Sequence, residues 1–418
     1  MAQLSDDFSK SHGRETFKFG AKYRTNYSTD SGFGVYTHGL QEALDTDAFF
    51  NGGIDGTESQ SDALDNGDFS IMEQAFPQSP EQRFKFWGIG GYAEDDIQVK
   101  PSLTLTLSLR LDHESNPTCK NDCFARLSED FESVVASPTL SSNDTPYNSV
   151  LTGGFRDALN GLEGLEWQPR IGFAWEPGGD RSHTVIRGGF GIFNDPFPGQ
   201  ITESIASNPP LLQFFEVYGD YLSPKQSTST TTNLFADETS SNAGFLTGYS
   251  SGESAAQIEA AVPAFAPPNL TYTQAHTEAP QYQKWNLEIE HRFGANTSLA
   301  IEYDGNHGIH EAIQDNSLNA STSGFAGLPS SAPDPEFTEV TGVFTEGISN
   351  YNGLSATFTH RYKTGEVQVS YTYACLLYTS PGCYSASQNT RHRSPLRTGQ
   401  YGWLLCTGGS KSARHFHF

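Results

Sequence analysis

Residues 102–113 read Ser-Leu-Thr-Leu-Thr-Leu-Ser-Leu-Arg-Leu-Asp-His. Leu103, Leu105, Leu107, Leu109 and Leu111 alternate without a break with Thr104, Thr106, Ser108, Arg110 and Asp112. A period of two puts every leucine on one face of a strand and every polar group on the other. At ~3.3 Å per residue and a tilt of roughly 40°, nine such residues cover about 23 Å, near the apolar band of an outer-membrane barrel.

The same pattern recurs outward from this stretch. Trp285, Leu287 and Ile289 alternate with Asn286, Glu288 and Glu290. After the turn Gly294-Ala295-Asn296, Leu299, Ile301 and Tyr303 alternate with Ala300, Glu302 and Asp304. Leu354, Ala356 and Phe358 share one side of a strand, and beyond Lys363-Thr364-Gly365 so do Val367, Val369, Tyr371 and Tyr373. Further strands are read at Phe17–Tyr23, Phe84–Val99, Ile171–Trp175 and Ile186–Ile192, about nine in all. Their connections alternate: short at 100–101, long over 114–167, short at 178–181, long over 194–282, short at 294–296, long over 305–350. Short turns at one end and long loops at the other are the habit of a membrane barrel. A compact soluble domain has little use for such loops.

Composition agrees. Of 418 residues 36% are apolar and 18% charged, with 41 Gly and 12% aromatics, the vocabulary of strands and turns. The net charge of −24 repels a phosphate backbone, so nucleic acid is not a partner. No window reaches the 18 or so apolar residues of a membrane-spanning helix. Met1–Lys10 lacks the basic start and apolar core of a secretory signal. The long loops, rich in Ser, Thr, Asn, Asp and Gly as at Ser227–Thr232, read as solvated structure, with one short helix expected over Glu253–Ala261.

In this setting the sequence resembles the barrel portion of TonB-dependent outer-membrane receptors of the Oar-like kind. Tyr92-Ala93-Glu94-Asp95-Asp96, followed by Lys100-Pro101-Ser102-Leu103-Thr104-Leu105, is similar to one strand-turn-strand block of that family. Pro169–Trp175 and Val185–Phe193 resemble the next hairpin. Gln283–Leu287, Gly305-Asn306-His307-Gly308 and Ser349–Leu354 resemble later blocks. Ile97 stands where the family usually has Trp. The resemblance implies an all-β fold, a partial antiparallel transmembrane β-barrel seen as a curved open sheet with long extracellular loops. It also implies a location in the outer membrane and uptake of an unknown solute. The partners implied are outer-membrane lipid and a TonB-type energising protein acting through a plug. Signal, plug and the remaining strands of about 22 are read as missing, so the chain is expected to be a fragment. The alternative is a soluble extracellular adhesion or glycan-binding β protein, which would bury the alternating residues between two sheets.

From Cys375 the alternation stops. The last 44 residues hold no Asp or Glu and five of the 25 basic residues, so residues 1–374 carry −29. Cys375-Leu376-Leu377-Tyr378-Thr379-Ser380 resembles the translation of a transposon-end sequencing adapter. The domain reading is therefore a partial barrel over 1–374 and a non-native, disordered tail over 375–418.

No catalytic, cofactor-binding or metal-ligating residue is assigned, and no enzyme activity is expected. Gly248-Tyr249-Ser250-Ser251-Gly252 matches G-x-S-x-G, but a nucleophile elbow needs a parallel sheet. His307 and His310 with Glu311 and Asp304 are either a metal cluster or rim residues, and strand-end spacing would splay the rings. Asp55, within Asn51–Asp62, lacks the ligand rhythm of an EF-hand loop. Glu288, Glu290, Glu302 and Asp304 share the polar face, either as a carboxylate ring favouring cations or as ordinary solvated wall. Cys119 and Cys123 form a small disulfide or remain two free thiols.

Overall fold

Strands with one apolar and one polar face pair in the register that keeps the faces matched, because a one-residue slip would invert every side chain. The computed structural model describes residues 1–31, 34–43, 69–79, 81–178, 183–218, 234–321 and 328–379. In it, ten long strands obey that rule in one antiparallel meander. They are β1 (Ala2–His12), β2 (Glu15–Asp30), β3 (Gln82–Lys100), β4 (Leu103–Glu114), β5 (Glu166–Trp175), β6 (Thr184–Asn194), β7 (Gln281–Arg292), β8 (Thr297–Asp315), β9 (Val340–Arg361) and β10 (Glu366–Thr379). Each pairs with its sequence neighbour. Connections at 13–14, 101–102, 176–183, 293–296 and 362–365 are short, and those at 31–81, 115–165, 195–280 and 316–339 are long.

The register builds continuous rows across the sheet. One apolar row runs Leu105, Phe173, Gly188, Leu287, Tyr303, Leu354, Tyr373; the next runs Leu103, Trp175, Ile186, Ile289, Ile301, Ala356, Tyr371. These side chains stay uncovered: Leu287 is 44% exposed, Ile301 45% and Tyr371 68%. Among the described residues no second sheet lies over them, which removes the soluble-sandwich alternative. Among the described residues β1 pairs only with β2 and β10 only with β9, so the sheet they form is open. No described helix is long and apolar enough to cross a membrane.

Two expectations about the wall need correction. The meander has ten strands because β1 joins it. Its leucine and phenylalanine at Leu4 and Phe8 pair with Tyr23 and Phe19, but Asp6 and Lys10 interrupt the pattern. The connection expected over 305–350 is shorter, since β8 continues to Asp315 and β9 begins at Val340. Pairing along β9 also continues past Ala374 to Thr379.

The largest correction concerns the long loops. Their described residues are packed and contain the buried core, while Ser227–Thr232 lies outside the described residues. Helices α1 (Phe131–Ala136), α2 (Tyr147–Val150), α3 (Gly199–Ala206), α4 (Leu234–Ser251) and α5 (Ala255–Ala261) lie in them with short strands at Phe124–Leu127, Leu151–Phe155 and Leu270–Thr273. Tyr147, Leu151, Phe245, Ile258 and Phe337 are almost wholly buried in one cluster. Tyr147 meets the rings of Phe245 and Phe337 edge-on, at 5.0 and 6.2 Å, a favoured aromatic geometry. Its hydroxyl donates to the Glu336 carbonyl at 2.7 Å. The expected helix near 253–261 is α5, started by a capping box in which Ser254 accepts from the Gln257 N–H and Gln257 from the Ser254 N–H. This cap sits on the long-connection end of the ten-stranded wall.

Candidate functional site

The polar face of the wall carries its charges in tiers. Nearest the short turns, Arg187 Nη1 donates to Glu288 Oε1 at 2.7 Å and Glu290 Oε2 at 3.4 Å. Glu302 stands opposite Glu288, and Asp304 opposite Asn286. The four carboxylates singled out from sequence do share a face, but two of them are held by one guanidinium. On the neighbouring strands Lys18 Nζ lies 2.9 Å from Glu94 and 2.7 Å from Asp96, and Asp96 also accepts from Thr106 Oγ1.

Closer to the cap, the wall lines a cavity of about 310 Å³ that brings Lys22, Arg24, Arg110, Arg170 and Lys284 together with Asp112, Glu114, Glu166 and Asp195. Arg24 pairs with Glu114 at 3.0 Å and Arg110 with Asp112 at 2.6 Å. Gln168 connects the next strand by donating to Asp112 Oδ2 and accepting from Arg170 Nη2. Gly90 leaves the room: a Cβ there would fall 1.7 Å from Asp112 Oδ1.

Arg170 links this network to a cationic platform. Gly191 sits between Arg170 on β5 and Lys284 on β7. Lacking a side chain, it lets the Phe193 ring fold back over the strand; a Cβ on Gly191 would lie 2.9 Å from that ring and 3.1 Å from Arg170 Cγ. The Arg170 guanidinium then rests 4.3 Å from the ring centroid and Lys284 Nζ 5.4 Å from it, with Tyr282 5.5 Å from the same ammonium. Cation–π contact holds both groups without neutralising them, and among the described residues neither makes an ion pair, although Arg170 stays within electrostatic reach of Asp112 and Glu94. A solute carrying an anionic group meets two fixed positive charges here. Period-two reading places Gly191 and Phe193 on the polar face but does not show that the ring folds back.

The other residues singled out from sequence are dispersed. Gly248–Ser251 close α4, where Ser250 Oγ donates to the Thr247 carbonyl at 2.9 Å, and Gly252 ends the helix at φ 73°. That is a helix C-terminus, not a strand-to-helix elbow. His307 Nδ1 is 2.8 Å from Asn350 Oδ1, whereas His310 Nε2 is 3.1 Å from Glu278 Oε2. A register shift between Gly308 and Glu311, with His310 at φ 56°, turns the two rings to different neighbours. Cys119 and Cys123 form a disulfide, packed against Phe124 and Leu159 in a second buried cluster. Asp55 and the rest of 51–62 lie outside the described residues.

Comparison with known proteins bears on this geometry. Residues 1–402 match the family described as outer membrane beta barrel domain. Among solved structures the chain is similar to the outer membrane transporter YddB from Escherichia coli, at 10% identity and a TM-score of 0.43. It is also similar to the FrpB iron transporter from Neisseria meningitidis, at 10% and 0.42. A third is the siderophore receptor PirA from Pseudomonas aeruginosa, at 11% and 0.34. The matches cover 90%, 90% and 89% of this chain but only 33%, 36% and 50% of those chains. The chain thus spans between a third and a half of their length. No curated protein matches it in sequence.

Proposed function

The chain belongs to the outer membrane β-barrel domain family, and from that premise we propose that it forms wall and external cap of a TonB-dependent transporter for an anionic solute. The apolar rows face lipid and the polar face lines the route inward. The cap meets the solute first, and the Arg170–Phe193–Lys284 platform then holds its anionic group. Release toward the periplasm needs a plug moved by an energising partner in the inner membrane. The chain makes and breaks no bond; its residues bind and orient.

The observation that carries this reading is the Gly191 gap, which lets one ring present two cations outside any ion pair among the described residues, on the face a solute would pass. Fluorescence titration of the detergent-solubilised chain with ferric citrate, against hexaamminecobalt(III) as a cationic control, tests it. Ferric citrate is expected to bind at least tenfold more tightly, and Arg170→Ala with Lys284→Ala to remove that preference. Equal binding of both complexes, or preference for the cation, contradicts it. In cells that display this barrel, loss of the energising protein is expected to abolish accumulation of the solute while leaving surface binding intact.

A further inference from the structure

The cap holds a second concavity, about 270 Å³, lined by residues 125–130 and 271–273 with Ala275, Asn160 and Ile205. Its walls are two strand edges. Phe124–Leu127 pairs on one side with Leu151–Phe155, and the Ser128 N–H donates to the Val150 carbonyl. In an antiparallel ladder bonded and non-bonded residues alternate, so Ser128 and Arg126 turn their backbone groups to that neighbour. Ala125 and Leu127 turn theirs away. Leu270–Thr273 pairs in parallel with the start of β9, where the Leu270 N–H donates to the Glu339 carbonyl. By the same alternation Leu270 and Tyr272 face β9, and Thr271 and Thr273 face away from it.

Asn208 reveals what fits between these edges. It is 1% exposed. Its Nδ2 donates to the Ala125 carbonyl at 3.0 Å and the Thr271 carbonyl at 2.8 Å, while its Oδ1 accepts from the Thr271 N–H at 2.7 Å. One side-chain amide therefore occupies the place of a peptide group in a missing central strand. Neighbouring strands sit about 4.8 Å apart, and edges bridged by a single amide are separated by the width of one such strand. Past Asn208 the backbone groups of Leu127 and Thr273 border the open cavity.

We propose that this gap binds a short extended peptide from outside the chain, which adds a strand between the two edges and completes a sheet from Leu151–Phe155 to β9. Backbone hydrogen bonds supply the affinity in such strand addition. The rim supplies the selectivity. Arg126, fixed over Phe155 at 4.6 Å and bonded to Asn160 and the Asp157 carbonyl, brings its guanidinium to the lining. It suits an acidic side chain. Glu129 lies on the rim, and Asp130, which accepts from the Tyr272 hydroxyl at 2.8 Å, lies beside it. They suit a basic one. The site is separate from the platform in the wall and stands independently of the anionic-solute reading.

The test uses the full chain in detergent and a fluorescein-labelled, end-blocked Lys-Thr-Val-Thr-Glu peptide, followed by anisotropy and by amide hydrogen exchange. Saturable binding is expected, with slowed exchange at the amides of Leu127 and Thr273. Methylating alternate backbone nitrogens of the peptide is expected to weaken binding at least tenfold. Thr273→Pro removes an N–H that β9 does not use, so it is expected to weaken binding equally while exchange in β9 stays unchanged. Arg170→Ala with Lys284→Ala is expected to have no effect. Absence of binding, indifference to N-methylation, or protection elsewhere than Leu127 and Thr273 would overturn the proposal.

Discussion

Leu287 and Phe245 are both large apolar side chains on regular elements, yet the first is 44% exposed and the second wholly buried. The difference separates two regions built by opposite rules. In the wall, alternation is local, the apolar face is left uncovered, and stability awaits an external solvent for that face. In the cap, apolar residues distant in sequence, such as Tyr147, Phe245 and Phe337, converge and exclude solvent by themselves. Hydrocarbon does the work for one region that the protein interior does for the other.

The contrast can be broken most sharply from the cap. Phe245→Ala is expected to cost about 3–5 kcal/mol, the range for deleting a buried aromatic ring. Hydrogen exchange should rise across α4 and α5 while β7 and β8 keep their protection; simultaneous loss in both regions would mean that the two are one cooperative unit. Next comes Leu287→Arg at the middle of β7, expected to cost about 2–4 kcal/mol in a bilayer. The neighbouring Glu288→Gln, on the polar face, should cost well under that, as read by urea unfolding in lipid vesicles. The Cys119–Cys123 disulfide closes only a short loop, and its reduction is expected to lower cap stability by about 2 kcal/mol on the loop-entropy scale, with the wall unaffected.

The smallest effect per step is a dependence on pH within the cap. Burial beside Asp334 raises the Glu336 carboxyl to about 9, and burial raises Asp334 to about 6 and Glu238 to about 8. Folding therefore keeps Glu336 protonated where the unfolded chain, near 4.5, has released the proton. Its contribution to stability is full below about pH 4.5 and declines as pH rises toward 9, by at most about 1.4 kcal/mol per pH unit. Glu336→Gln is expected to flatten that part of the profile of cap unfolding followed by hydrogen exchange; an unchanged slope would assign the titration to another group.

The wall was legible because its information is local. Five alternating leucines in β4 and the paired runs of β7 and β8 set face, register and connection lengths without reference to distant residues. The ends of strands were less so. Asp6 and Lys10 hid β1, and the mixed residues of 305–315 and 340–350 concealed strand continuations that alternate less strictly. The cap was not legible, since its core forms between segments such as Phe131, Ile258 and Val340 whose contacts have no period to betray them. The platform was not read from the sequence: strand parity allows Arg170, Phe193 and Lys284 one face, but only the backbone register puts Gly191 between Arg170 and Lys284.

The direct test of the wall is to measure what its two faces touch. Nitroxide labels attached after Leu287→Cys, Ile289→Cys or Glu288→Cys, with Cys375, Cys383 and Cys406 changed to serine, report collisions with oxygen and with a water-soluble nickel chelate by power-saturation EPR in vesicles. Labels at 287 and 289 are predicted to favour oxygen, as in lipid tails, and the label at 288 to favour nickel. Equal accessibility at all three, or shielding of 287 and 289 from both reagents, would contradict a wall whose apolar side faces the bilayer.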